Sequence, residues 1–137
     1  MEKNTYFEHM RNTAIAYNEA QAIREKEEFP YPFTAGQNKA LVLYDRSLRN
    51  GADAFEADDL PWDYELADFV ETLRNAGIKA IVVTDQSTGL MDGIYGLTNL
   101  GCRMNGLKTV TRADDHRFGS KEPERRNGIE FIISEEA

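Results

Sequence analysis

The sequence predicts a small α/β domain, with an α+β arrangement as the alternative. Residues 80–83, Ala-Ile-Val-Val, form an uninterrupted apolar run rich in β-branched side chains, which is typical of a strand buried on both faces. The run lies between two segments with helical spacing of apolar residues, 61–76 and 88–100, each followed by a glycine that can end a helix. We therefore expect N-terminal helices, then a helix-strand-helix-strand-strand unit whose small three-stranded mixed sheet has helices packed on it.

Two helices are predicted before this unit. Residues 4–28 place apolar side chains at helical spacing, and Pro30 and Pro32 stop this helix because proline lacks an amide donor. Residues 37–50 form the second predicted helix, which Gly51 is placed to end.

The helix predicted over residues 61–76 has start and stop signals at both ends. Asp59 or Leu60 is the expected N-cap. Gly77 follows the last turn and Ile78 can pack back on it, which is the pattern of a Schellman ending.

Three glycines share one stripe of the helix predicted over residues 88–100: Gly89, Gly93 and Gly96. Each glycine costs a helix about 0.8–1 kcal/mol relative to alanine. The stripe therefore predicts that another backbone packs very close to this helix.

Two further strands are predicted, over residues 106–112 and 129–134, with a polar loop at 113–126 between them. The strand at 78–84 and the strand at 106–112 should be parallel, joined by a right-handed crossover through the intervening helix. The last strand is expected to be antiparallel to one of its neighbours.

Length and composition limit the class of protein. The 137 residues fit one domain, in which residues 1–36 supply the first helix and a proline-aromatic connector and residues 37–137 the α/β core. The net charge of −8 argues against direct binding to nucleic acid. No segment approaches 18 consecutive apolar residues, so no membrane association is expected. The N-terminus lacks an apolar signal core and Cys102 is the lone cysteine, so we expect a cytoplasmic protein.

The strongest charge pattern lies between Asp53 and Glu71, where eight acids occur without one lysine or arginine. Aromatic side chains within a field of carboxylates suit docking on a basic protein surface, because rings supply burial and charges supply steering. The alternative is a solvated helix face whose tryptophan is a core or capping residue. The candidate partner-binding residues are Asp58, Asp59, Trp62, Asp63 and Tyr64.

A second candidate site is the turn after the buried strand, because ligands favour the carboxyl ends of strands and anions favour helix N-termini. The structural alternative is that Asp85 or Ser87 only caps the next helix. Neither a G-x-G-x-x-G nor a Walker-type motif supports phosphate binding. The candidate ligand-binding residues are Thr84, Asp85, Ser87, Thr88 and Gly89.

The remaining reactive residues indicate no catalyst. His116 follows Asp114 and Asp115, but neighbouring side chains in a loop seldom converge on one ion and no second ligand has suitable spacing, so no metal or other cofactor is expected. Cys102 follows a helix-ending glycine, where a small buried hydrophobe is favoured over a nucleophile.

The motifs that start at Leu60-Pro61-Trp62-Asp63 and continue through 68–78, 84–91 and 97–107 resemble a family of small proteins known only as a domain of unknown function. The resemblance spans roughly residues 41–111 and is to proteins carried on plasmids and mobile elements of gut Firmicutes. It implies a bacterial cytosolic accessory protein of a mobile element and supplies no catalytic residues.

Taken together, the sequence favours a non-enzymatic acidic module that binds a basic protein surface, with an accessory, regulatory or host-defence-antagonist role. An enzyme or small-anion binder at residues 84–89 is the alternative. A homodimer formed through the glycine stripe or the last strand is a third hypothesis.

Overall fold

Four helices and a four-stranded mixed sheet make up the part of the chain that the computed structural model describes, residues 1–23, 32–113 and 123–134. The predicted α/β class is confirmed. In chain order the elements are α1 (Thr5–Ile23), α2 (Ala35–Arg49), β1 (Glu56–Ala57), α3 (Asp63–Asn75), β2 (Ala80–Val83), α4 (Leu90–Asn99), β3 (Arg103–Arg112) and β4 (Glu124–Ile132).

The strand order is β1-β2-β4-β3, with β1 parallel to β2 and β4 antiparallel to both of its neighbours. The prediction of three strands is wrong by one, because β1 is only two residues long and so shows no strand pattern in the sequence. β2 and β3 run in the same direction, as predicted, but β4 lies between them. The expected loop at 113–126 is also too long, since β4 begins at Glu124.

The sheet curls until its far corners meet. Ala52, just before β1, pairs with Arg112 at the end of β3. The Asp53 amide donates to the Thr111 carbonyl at 3.0 Å, and the Ala113 amide donates to the Gly51 carbonyl at 3.1 Å. The inner surface of the curl therefore becomes a second, smaller interior, which holds a cluster of Ala52, Val82 and Val110.

The main core forms between the helices and the other face of the sheet. Ile81 of β2 pairs with Phe131 of β4, and both side chains are fully buried. Phe69 of α3 and Leu97 of α4 are also fully buried in this cluster. Ile81 faces the main core and Val82 faces the smaller interior, so β2 has no polar side.

α1 is attached to the core by its first half. Phe7 is fully buried and stacks on Tyr44 of α2, with ring centroids 4.7 Å apart. The Tyr44 hydroxyl accepts a hydrogen bond from the Asn4 amide and donates one to Glu8. The predicted end of this helix and Pro30 lie outside the described residues, whereas Pro32 is exposed just before α2.

The ends of α3 combine one correct and one wrong prediction. Gly77 has a φ of 77°, and the Ile78 amide donates to the Leu73 carbonyl at 2.9 Å, so the predicted Schellman ending is confirmed. The N-cap is Trp62 rather than Asp59 or Leu60, and its side chain makes no capping hydrogen bond. The N-cap lies two or three residues later than predicted because both predicted caps are bonded to other elements. Asp59 accepts from Lys39, and the Leu60 amide donates to Asp85.

The glycine stripe of α4 contacts side chains, not another backbone. A Cβ added at Gly93 would clash with the Leu60 side chain, and one added at Gly96 with the Leu66 side chain. A close backbone approach occurs instead at Gly36 of α2, where an added Cβ would clash with the Glu65 carbonyl of α3. The interpretation of the stripe was therefore wrong, although close packing does occur there.

None of the helices in the described ranges combines the length and the apolar character that crossing a bilayer requires.

Candidate functional site

The acidic segment divides into two halves that differ in what their carboxylates contact. In the first half, residues 53–59, every acid is bonded within the fold. Glu56 is buried, and the Nε and Nη2 atoms of Arg112 donate to its two carboxylate oxygens at 2.6 Å each. The Thr84 hydroxyl donates to the same carboxylate at 2.5 Å. This network fills the inner surface of the curled sheet.

Asp58 and Asp59, two of the predicted partner-binding residues, have cations beside them. Arg46 of α2 donates to Asp58 at 2.6 Å, and Arg112 contacts the same carboxylate at 3.4 Å. Lys39 donates to Asp59 at 2.8 Å. Their negative charges are therefore balanced locally, and they add little to the field outside the protein.

Opposing effects act on the pKa of Glu56. Burial by itself raises the pKa, but the hydrogen bonds from Arg112 and Thr84 and the positive charge of Arg112 outweigh it. The pKa of Glu56 therefore lies below its ordinary value, and this carboxylate keeps its proton less readily in the folded chain.

The second half of the segment begins with Trp62, Asp63 and Tyr64, which the sequence predicted as partner-binding residues. Trp62 is 73% exposed and Tyr64 is 82% exposed. The tryptophan is therefore not a core residue. It occupies the N-cap position of α3, as the structural alternative allowed, but its side chain makes no capping hydrogen bond. Among the described residues, no hydrogen bond or ion pair reaches the carboxylates of this half, which are Asp63, Glu65, Asp68 and Glu71.

A groove of about 370 Å³ runs between α3 and α4 beside these residues. It exists because Gly96 has no side chain, which lets Leu66 of α3 lie directly against α4. The floor is largely apolar and the rim is polar, and no lysine or arginine contributes to the lining. The lining residues are Asp63, Leu66, Ala67, Asp92, Tyr95, Gly96, Asn99 and Leu100.

The α4 side of the groove was missed in the sequence. Met91 is 62% exposed and Tyr95 is 66% exposed, and these residues are neighbours at i and i+4. Asp92 makes no hydrogen bond or ion pair with any side chain that the structure describes. The sequence signal that could have revealed this side of the groove is that Met91 and Tyr95, two large side chains, lie off the apolar stripe of α4. We refer to Trp62, Asp63, Tyr64, Met91, Asp92 and Tyr95 as the α3/α4 face.

Thr84 and Asp85, the first part of the predicted ligand-binding turn, are both buried and bonded internally. Thr84 donates to Glu56. Asp85 accepts from the Ser87 amide at 2.7 Å and from the Leu60 amide at 3.0 Å. Burial raises the pKa of Asp85, but these hydrogen bonds outweigh it and the net shift is downward. Asp85 therefore ties the entry of α3 to the end of β2.

The exposed part of the same turn shows simple turn geometry. The Ser87 hydroxyl accepts from the Gly89 amide at 3.3 Å, and Thr88 is exposed. Arg112, the cation that could complete an anion site near this turn, already holds Glu56 and Asp58. The α3/α4 groove and a second groove beside Arg74 are lined by other residues.

The two surfaces expected to support a homodimer are occupied. Leu60 and Leu66 lie against the glycines of α4. In β4, residues 129–132 pair with β2 on one side and with β3 on the other. A second copy that packed or paired at these groups would have to displace them, and the homodimer stays a prediction.

Cys102 is buried, as predicted, and its amide donates to the Leu97 carbonyl at 3.0 Å. Burial raises the pKa of its thiol, which disfavours the nucleophilic thiolate. His116 lies outside the described residues. Across the ranges 1–23, 32–113 and 123–134, no group of three or more histidine, cysteine, aspartate or glutamate side chains could hold a metal ion.

Residues 39–133 match the family described as Domain of unknown function (DUF7698). No curated protein and no solved structure matches the chain. The matched region extends from within α2 to the end of the sheet, so it includes both halves of the acidic segment and the α3/α4 face. Because the match covers more than half of its length, the chain belongs to the DUF7698 family.

Proposed function

We propose that this protein is a non-enzymatic binding module whose α3/α4 face docks on a basic surface of a partner protein. The observation that carries the proposal is the coincidence of exposed rings and unbalanced carboxylates on two adjoining helices. Trp62, Tyr64 and Tyr95 are each at least 66% exposed, and Asp63 and Asp92 lie beside them in the first turns of α3 and α4.

The rings supply the burial that such an interface needs. Tryptophan and tyrosine are enriched among the residues that dominate binding energy, because they bury large area at a small cost in side-chain entropy. Tyr64 and Ala67 are neighbours at i and i+3, so the tyrosine lies near the α3 wall of the groove. Large exposed apolar surface is typical of interaction sites, and Trp62, Tyr64 and Tyr95 are among the large exposed side chains of this chain.

The charges supply direction. Together α3 and α4 carry one cation, Arg74, whose guanidinium donates to the carbonyls of Ile133 and Leu100. The acids on the two helices are Asp63, Glu65, Asp68, Glu71 and Asp92. A surface with this excess of negative charge attracts a basic partner and repels nucleic acid.

The setting that we propose is the cytoplasm of a bacterium, where the module serves a plasmid or other mobile element of gut Firmicutes as a regulator or as an antagonist of host defence. This part of the proposal is supported by the resemblance of residues 41–111. Genes of conjugation, replication or anti-defence systems beside members of the family would agree with it. Chromosomal neighbours with metabolic roles would contradict it.

The test uses the full chain as bait in affinity purification from its host bacterium, followed by calorimetry with the purified partner. We expect Trp62→Ala/Tyr64→Ala to weaken binding by roughly tenfold or more, since loss of such anchors typically exceeds 1–2 kcal/mol. Met104→Ala/Leu107→Ala is the matched control, because these exposed apolar residues lie on β3. The affinity should also fall as salt is raised.

Equal affinity of the wild type and the Trp62→Ala/Tyr64→Ala variant would contradict the proposal. So would a partner whose contact surface is acidic, or a ligand that proves to be nucleic acid.

A further inference from the structure

We infer that the α3/α4 groove is the binding site for an arginine side chain of the partner protein. This inference rests on the proposed function, because it specifies which chemical group the docking face accepts. The occupant follows from the charge, shape and lining of the groove.

The two walls of the groove carry complementary charge for a cation. Asp63 comes from the first turn of α3 and Asp92 from the first turn of α4. Of the acids in the described ranges, these two line the groove and have no hydrogen bond or ion pair with a described side chain. A cation between them would be attracted from both sides.

The floor suits the aliphatic stem of a long basic side chain. Leu66, Ala67 and Leu100 supply apolar surface, and the volume of about 370 Å³ exceeds that of one side chain. Lysine and arginine characteristically bury their methylene groups along such surface while the charged end stays with polar groups. Small apolar side chains would fill the floor but leave both carboxylates without a partner.

Arginine fits the rim better than lysine does. The Tyr95 ring, 66% exposed, borders the groove, and a planar guanidinium can stack on an aromatic ring. Its five N–H donors can also serve more than one of the polar groups that line the groove. The fold already uses this recognition internally, where Arg112 bridges Glu56 and Asp58.

The experiment titrates three probes, N-acetyl-arginine amide, N-acetyl-lysine amide and N-acetyl-citrulline amide, into the isotope-labelled full chain and follows amide resonances by NMR. Citrulline keeps the shape of arginine but has no charge. We expect arginine to shift resonances around Asp63, Ala67, Tyr95 and Asn99 with a dissociation constant of order millimolar, lysine more weakly and citrulline hardly at all.

The matched variants separate the groove from the general charge of the helix. Asp63→Asn/Asp92→Asn should weaken arginine binding by about threefold or more. Glu65→Gln/Glu71→Gln removes the same charge from exposed or half-exposed positions of α3 outside the groove, and it should retain most of the binding. Both variants should keep the wild-type circular dichroism spectrum, because none of these side chains is bonded within the described fold.

Equal resonance shifts with arginine and citrulline, or equal losses of arginine binding in the two variants, would overturn the proposal of an arginine-binding groove. The docking proposal would survive that result if Trp62→Ala/Tyr64→Ala still weakens binding of the whole partner. If the arginine probe binds the groove but Trp62→Ala/Tyr64→Ala binds the partner normally, the groove is supported as an arginine site. The docking role of the aromatic residues is then contradicted.

Discussion

The two halves of the acidic segment have similar composition but opposite roles in the structure. Residues 53–59 place their carboxylates on arginine, lysine, threonine and backbone groups of other elements. Residues 63–71 lie on α3, and their carboxylates have no bonded partner in the described part of the chain. The first half holds the curled sheet together, and the second half faces outward beside the exposed rings.

The difference shows why a count of charges cannot locate a binding surface. Both halves contain four acids and no cation, so their sequences indicate the same electrostatic character. Only the fold brings Arg46 and Arg112 to the first half. The experiments below test this division, beginning with the largest expected effect.

Breaking the paired half should destabilise the fold strongly. Arg112→Met leaves the Glu56 carboxylate buried without its cation, and removal of one partner of a buried ion pair typically costs about 3–5 kcal/mol. We expect a loss of this size in the free energy of unfolding, measured by urea denaturation. This is a large part of the total for a domain, which is about 5–15 kcal/mol.

The control for this experiment is Arg125→Met, since Arg125 is exposed on the same hairpin. It should change the free energy of unfolding by less than about 0.5 kcal/mol. The double variant Glu56→Met/Arg112→Met should lose less than the sum of its single variants. A loss below about 1 kcal/mol for Arg112→Met would show that the network is not structural.

The ion pairs and hydrogen bonds of the first half, residues 53–59, should also make the stability of the fold depend on pH. The pKa of Glu56 is lower in the folded chain than its ordinary value, so its contribution is complete above the unfolded pKa of about 4.3 and is lost as the pH falls through the folded value. The pKa values of Asp85 and Glu130 are lowered as well, so their contributions have the same sign.

Urea denaturation at a series of pH values below about 5 measures this dependence. We expect Glu56→Gln to reduce the slope of the free energy of unfolding against pH without abolishing it. A slope that is the same in Glu56→Gln as in the wild type would show that this carboxylate does not couple stability to pH.

The second half, residues 63–71, should tolerate neutralisation of its carboxylates with little change in the stability of the fold. Glu71→Gln is expected to change the free energy of unfolding by less than about 0.5 kcal/mol, because the exposed side chain has no bonded partner among the described residues. Its effect should appear in the rate of association with the basic partner, which stopped-flow fluorescence would show to be reduced at low salt and unchanged at high salt. A stability loss above about 1 kcal/mol would indicate an unrecognised structural role.

Local patterns predicted much of the fold. The Schellman ending at Gly77 and the buried strand at 80–83 depend on residues within a few positions of one another, and both are confirmed. β1 was missed because two residues carry no periodicity and its register depends on pairing with β2. The N-cap of α3 was misplaced because the Leu60 amide bonds to Asp85, which is 25 residues away.

The candidate site was only half predictable for the same reason. Trp62 and Tyr64 stood out as aromatics among acids, but Asp92 and Tyr95 lie on another helix with an ordinary sequence. Their relation to α3 arises from the contact of Gly96 with Leu66. Sequence spacing describes one helix at a time, so it cannot predict a groove that needs two.

By itself, the sequence determined the α/β class, the helix ending at Gly77 and the excess of negative charge, because these follow from backbone preferences, short-range hydrogen bonds and composition. The tertiary structure decided which acids are neutralised inside the fold and which remain available to a partner. That outcome depends on Arg112 reaching Glu56 across 56 residues of chain, through a sheet whose curl no local pattern encodes.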